Sequence, residues 1–111
     1  MSEQELGDYI LSMAGSWLDY PFGEGTAVYK YGSHDGKDKL FAIIQEGSKP
    51  VRLSLKCDPN LAEILREKYE TVLAGYHLNK KHWNTIICTG QVPLDELHDF
   101  IRHSYELVKA A

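Results

Sequence analysis

The sequence predicts an α+β fold, an antiparallel sheet backed by helices from the two ends of the chain. Three observations carry that expectation. Runs with strand character follow one another with only short turns between them, so they pair antiparallel. Stretches with helical periodicity stand before, between and after those runs, which segregates helices from sheet. The 111 residues, 43% hydrophobic and 25% charged, suit a single folded domain over 1–111 with one core.

The first helix opens at Ser2, which with Glu5 three residues on makes a capping box; Leu6, Tyr9, Ile10 and Met13 then recur at helical spacing, and Gly15 ends it. Proline and glycine in DYPFGEG punctuate the chain before TAVYKY at 26–31, whose β-branched and aromatic content reads as a strand. After the turn GSHDGKD comes LFAII at 40–44, then the turn EGSKP at 46–50. VRLSLKC at 51–57 alternates strictly, with Val51, Leu53, Leu55 and Cys57 on one face and Arg52, Ser54 and Lys56 on the other. A three-stranded meander is expected. With helices on one side of it, the opposite face is partly open and carries Arg52, Ser54 and Lys56.

Asp58 followed by Pro59 starts the second helix, with Leu61, Ile64, Leu65 and Tyr69 as its inward stripe. One or two strands follow, including TIICT at 85–89. Pro93 opens the last helix, where Leu97, Phe100, Ile101, Tyr105 and Val108 face inward.

No apolar run approaches the ~20 residues that span a bilayer, and the acidic N-terminal segment is not a signal peptide, so no membrane role and a cytoplasmic location are expected. Cys57 and Cys88 are far apart and lie in strand-like runs, as buried thiols of a reducing compartment do. The net charge of −4 announces no polyanion partner, but its distribution is uneven. Every charged side chain in residues 1–25 is acidic (Glu3, Glu5, Asp8, Asp19, Glu24), whereas 47–57 and 71–94 contain no acid and carry Lys49, Arg52, Lys56, Lys80 and Lys81. The molecule is expected to be electrically two-faced.

Catalytic and metal chemistry find little support. There is no GxSxG, and GEG at 23–25 precedes a strand instead of joining a strand to a helix, so it is turn chemistry. His98 and His103 are five apart on one helix, about 140° around its axis, which rules out a shared ligand site. His77 and His82 have no acid or cysteine beside them to complete a zinc set. No cofactor, metal or enzymatic activity is expected. The segment GYHLNKKHWNT at 75–85 fits two readings: lysines and asparagines on phosphate with Trp83 stacking on a base, or a solvated loop with Trp83 in the core.

The motifs PFGEGTAVYK, RLSLKCDPNLAEILREKY, GYHLNKKHWNT and HSYELV, in this order, resemble the MmcQ/YjbR family of small bacterial proteins, from about Tyr20 to Val108. The resemblance implies a frataxin-like (CyaY-like) fold and DNA binding through a double wing of β-hairpins. In this chain the wings are the turns at 32–38 and 46–50, with NKKHWN beside them; the first contains Asp35 and Asp38. The leading expectation is a non-enzymatic DNA-binding protein. Lys49, Arg52, Lys56, Lys80 and Lys81 engage phosphates, and His77, Asn79, His82, Trp83 and Asn84 add hydrogen bonds or packing. The rival is a metal-binding or protein-docking module that uses Glu3, Glu5, Asp8 and Asp19 as oxygen ligands or as a contact surface.

Overall fold

The computed structural model describes residues 2–33, 38–75 and 78–111. Helix α1 (Glu3–Leu11) starts at the expected cap: the Ser2 hydroxyl accepts the Glu5 amide at 3.1 Å and faces the Glu5 carboxylate at 3.3 Å. The helix ends four residues before Gly15. Serine hydroxyls take its last carbonyls, Ser12 donating to Tyr9 at 2.6 Å and Ser16 to Ile10 at 2.9 Å. Gly15, at a φ of 80°, then turns the chain into the sheet.

The strands are β1 (Ser16–Asp19), β2 (Thr26–Tyr31), β3 (Lys39–Gln45), β4 (Val51–Lys56), β5 (Val72–Ala74) and β6 (Trp83–Cys88). They form one six-stranded antiparallel sheet in the order β1-β2-β3-β4-β6-β5. Helix α2 (Pro59–Lys68) lies between β4 and β5, and α3 (Leu94–Ala110) closes the chain. The expected β2–β3–β4 meander is present, and β6 pairs with β4 so that β5 becomes an edge.

One layer of the molecule is apolar and shared by all three helices. Leu6 and Ile10 of α1, Ala62 and Leu65 of α2, and Leu97, Ile101 and Val108 of α3 pack in one cluster with Ala27, Tyr29, Ala42, Ile44, Leu53, Leu55 and Ile86 of the sheet. At about 25 cal/mol per Å² of apolar surface removed from water, this burial is the main force holding helices to sheet. A bulge sharpens the fit. Tyr29 faces Ala42 while Lys30 faces Leu40, leaving Phe41 as an extra residue whose ring is fully buried in that core. Its carbonyl accepts the hydroxyl of Ser104, a fully buried residue of α3.

Helix α2 corrects its expected stripe. Asp58 caps it, accepting the amides of Asn60 at 3.1 Å and Leu61 at 3.2 Å, and Pro59 is its first residue. Leu65 and Tyr69 are buried in the core and Leu61 packs against it, as expected, but Ala62 also faces inward and Ile64 is 57% exposed. The helix is only ten residues long and covers the narrow β5–β6 margin, so its buried stripe is two residues wide.

Candidate functional site

The face of the sheet opposite the helices is defined by strand register. Three rows cross it: Thr26, Gln45, Arg52 and Ile87; then Val28, Ile43, Ser54, Thr85 and Leu73; then Lys56 beside Trp83. Strict alternation along β4 sends Leu53 and Leu55 to the helices, so Arg52, Ser54 and Lys56 project from this face, as expected. The middle row changes character along its length. Val28 and Ile43 form a second apolar cluster with Trp83, whereas Ser54 and Thr85 join hydroxyls at 2.8 Å.

The segment leading into β6 folds over this cluster. Leu78 packs against it, and the Gly75 amide donates to the Trp83 carbonyl at 2.9 Å. A Cβ on Gly75 would lie 2.7 Å from the Cβ of Trp83, so only glycine lets the two strands approach here. Asn79 builds the turn: its side-chain oxygen accepts the Lys81 amide at 3.0 Å and its carbonyl the His82 amide at 3.1 Å. The tip of the turn, Lys80 and Lys81, is exposed.

The residues expected to meet a ligand therefore divide. Lys49, Arg52, Lys80 and Lys81 are exposed and Lys56 is half-buried. Among the described residues none of these five cations is in an ion pair. His82 is half-buried, its carbonyl accepting the Cys57 amide at 2.7 Å. Trp83 is 9% exposed and serves the apolar cluster. Asn84 is 2% exposed on the helix-covered face, where its amide donates to the Ala62 carbonyl at 3.2 Å. Asn84 thus lies inside and not at a ligand surface, and Trp83 takes the core position, one of its two readings. Both belong to β6, which starts at Trp83 and not at Thr85, so the strand's alternation assigns them to opposite faces. His77 lies outside the described residues.

The two ends of the open face differ electrically. On the β1–β2 side Lys30 is clamped by Asp19 at 3.0 Å and Asp38 at 3.1 Å, and these hydrogen bonds hold its ammonium above the ordinary lysine pKa. That half presents neutralised charge. On the β4–β6 side Arg52 and Lys56 stand free of carboxylates among the described residues. The acids of α1 belong to the opposite layer, and Glu3 is occupied: its carboxylate accepts the Gly47 amide at 2.9 Å and 3.0 Å. Asp19 is not part of an acidic helix surface, since it lies on β1 against Lys30. Residues 34–37 of the first expected wing lie outside the described residues, and the second, at 46–50, carries Glu46 bonded to the Tyr20 hydroxyl at 2.8 Å.

A cavity of about 500 Å³ opens onto this face. Ile43, Leu78 and the two-thirds exposed Phe22 are its apolar walls. Thr26, Gln45, Arg52, Ser54 and Thr85 supply its polar groups. Sequence reasoning singled out Arg52 and Ser54 of these. The strand character of TAVYKY and LFAII covered Thr26 and Ile43 and stopped one residue short of Gln45, and pairing those strands with β4 in register was needed to bring them together.

A family model, YjbR, matches residues 11–107, nearly the whole fold. The chain belongs to the YjbR family. Among relatives in that family it is 37% identical over 70 residues to the Escherichia coli (strain K12) "uncharacterized protein YjbR", a match covering 63% of this chain and 59% of that protein's length. It is 27% identical to Bacillus subtilis (strain 168) YyaQ, over 98% of this chain and 99% of the relative. The Deinococcus radiodurans protein DR2400 superposes on this YjbR-family chain with a TM-score of 0.91 at 36% identity, over 96% of this chain and 77% of that one. A Pseudomonas syringae protein does so at 0.80 and 28% identity, covering 97% and 99%.

Among the described residues the remaining histidines have structural partners, Cys57 is buried and Cys88 is half-buried. His98 stacks on Tyr9 with ring centroids 3.8 Å apart, and His103 accepts the Asp58 amide at 3.2 Å. Among the described residues no three His, Cys, Asp or Glu side chains gather as a metal site would require. Burial pushes both thiols up to about 11, so Cys57 and Cys88 stay protonated and unreactive near neutral pH. Among the described residues no helix is long and apolar enough to cross a membrane.

Proposed function

We propose that this YjbR-family protein is a non-enzymatic, cytoplasmic DNA-binding module that docks a duplex backbone on the β4–β6 half of its open sheet face. The observation that carries the reading is the set of cations that are unpaired among the described residues. Arg52 and Lys56 project from one strand face, and the exposed Lys80–Lys81 turn feeds the neighbouring strand at Trp83, which pairs with Lys56. Lys49 extends the set at the other end of β4. Phosphate contacts of this kind position a protein without reading sequence. Lys30 is excluded from the set because two carboxylates already hold it.

Fluorescence anisotropy with two unrelated duplexes tests the reading. Lys80→Gln with Lys81→Gln is expected to weaken both duplexes alike and to flatten the salt slope by about 1 per lysine. Binding that ignores both substitutions rejects the proposed surface.

A further inference from the structure

We propose that the cavity on the open face is a binding site for a small monocarboxylate with an apolar body, held by the Arg52 guanidinium. Its volume of about 500 Å³ falls within the ~300–1,000 Å³ of small-molecule sites, which pair apolar walls with a few placed polar groups. The walls here divide that way. Phe22 and Leu78 come from two separate loops and line the cavity with Ile43 of the sheet, giving an apolar body three surfaces to rest on. On the sheet floor Thr26, Gln45 and Arg52 stand in one register row, and Ile43 shares the next row with the Ser54–Thr85 hydroxyl pair.

The charge of the occupant follows from the lining. Arg52 is the single ionic group among the lining residues, and no described carboxylate pairs with it. A guanidinium binds a carboxylate through two parallel hydrogen bonds, and one positive charge balances one negative charge. A phosphate dianion would leave net charge against three apolar walls. A cation would face Arg52 without a counter-charge. The Thr26 hydroxyl, whose oxygen accepts the Gln45 amide at 3.4 Å, and the Ser54–Thr85 pair serve as neutral hydroxyl donors for the carboxylate's remaining lone pairs. The site shares Arg52 with the proposed duplex surface but not Lys80 and Lys81, which do not line it.

The test is calorimetry on the full chain with 2-naphthoate and 4-methylpentanoate, each paired with its neutral amide, and with inorganic phosphate and a mononucleotide as further probes. At least one carboxylate is expected to bind saturably, at least tenfold tighter than its amide and than either phosphate. Arg52→Gln should weaken the carboxylate about tenfold to hundredfold, the range for a charged hydrogen-bond partner. Thr26→Tyr, which fills the cavity from a strand position that favours an aromatic ring, should abolish binding while the circular dichroism spectrum is unchanged. Lys80→Gln with Lys81→Gln should leave carboxylate affinity intact, so loss of DNA binding and loss of this site are read separately. The proposal is overturned by equal affinity for amide and acid, by tighter phosphate binding, by full affinity in Arg52→Gln, or by no saturable binding of either carboxylate.

Discussion

Replacing Gly75 by alanine probes how the basic turn is seated on the sheet. The φ of Gly75 is not among the positive values of the chain's glycines, so alanine meets no backbone strain there; the obstacle is space. An added Cβ would lie 2.7 Å from the Trp83 Cβ, 3.2 Å from the Leu78 Cβ and 3.2 Å from the Trp83 carbonyl oxygen. Two of these neighbours are tied to the backbone of β6 and the third anchors the loop, so none can yield as the end of a flexible side chain would. Overpacking at such a site costs about 1–3 kcal/mol. With a urea dependence of roughly 1–3 kcal/mol per molar, the unfolding midpoint should fall by about 1 M. The same shift should lift Leu78 from Val28 and Ile43 and move Lys80 and Lys81, weakening DNA binding beyond the stability loss. Gly7→Ala is the comparison, because its Cβ would meet the Tyr29 hydroxyl at 2.6 Å, the far end of a side chain. A Gly75→Ala protein with the wild-type midpoint would refute the packing argument.

Two further predictions concern the interior. Ser104→Ala removes the buried hydroxyl that satisfies the Phe41 carbonyl at the bulge and should cost about 1–3 kcal/mol in a denaturant titration; an unchanged midpoint would deny that bond its role. Burial lifts Cys57 and Cys88 from 9.0 to about 11 and Tyr29 from 10.0 to about 12. The unfolded chain therefore loses these protons first, so stability should be intact below about pH 9 and fall as pH rises toward 11 and beyond. Cys57 should react with alkylating agents at pH 8 far more slowly in the folded protein than in urea, and equal rates would contradict its burial.

Much of this architecture was legible because it is local. The Ser2–Glu5 pair, the Asp58–Pro59 start and the alternation of VRLSLKC each specify structure within a few residues, and each is found where it was read. Strand β1 escaped because it is four residues long and follows a helix end with Trp17 and Leu18 as its only strong strand formers. Strand β5, three residues long, was left open as a second strand before the last helix, and only its pairing with β6 defines it. The start of β6 was obscured by polarity: NKKHWN reads as loop, yet its last two residues are buried on opposite faces, Trp83 by the loop-covered cluster and Asn84 by α2. The exposed Ile64 shows the limit of periodicity, since how wide a stripe a helix buries depends on the sheet beneath it. The basic segments were visible from composition. That Arg52 and Lys56 share one face of β4, and that Lys56 pairs with Trp83 where the Lys80–Lys81 turn enters β6, while Lys30 is held by two carboxylates on the same sheet, required the register of four strands.

The salt dependence of duplex binding tests the central claim most directly. If Lys49, Arg52, Lys56, Lys80 and Lys81 each meet a phosphate, log affinity should fall against log salt with a slope of about −4 to −5, at −0.9 per contact. A flat response would mean that these cations do not act together on a polyanion.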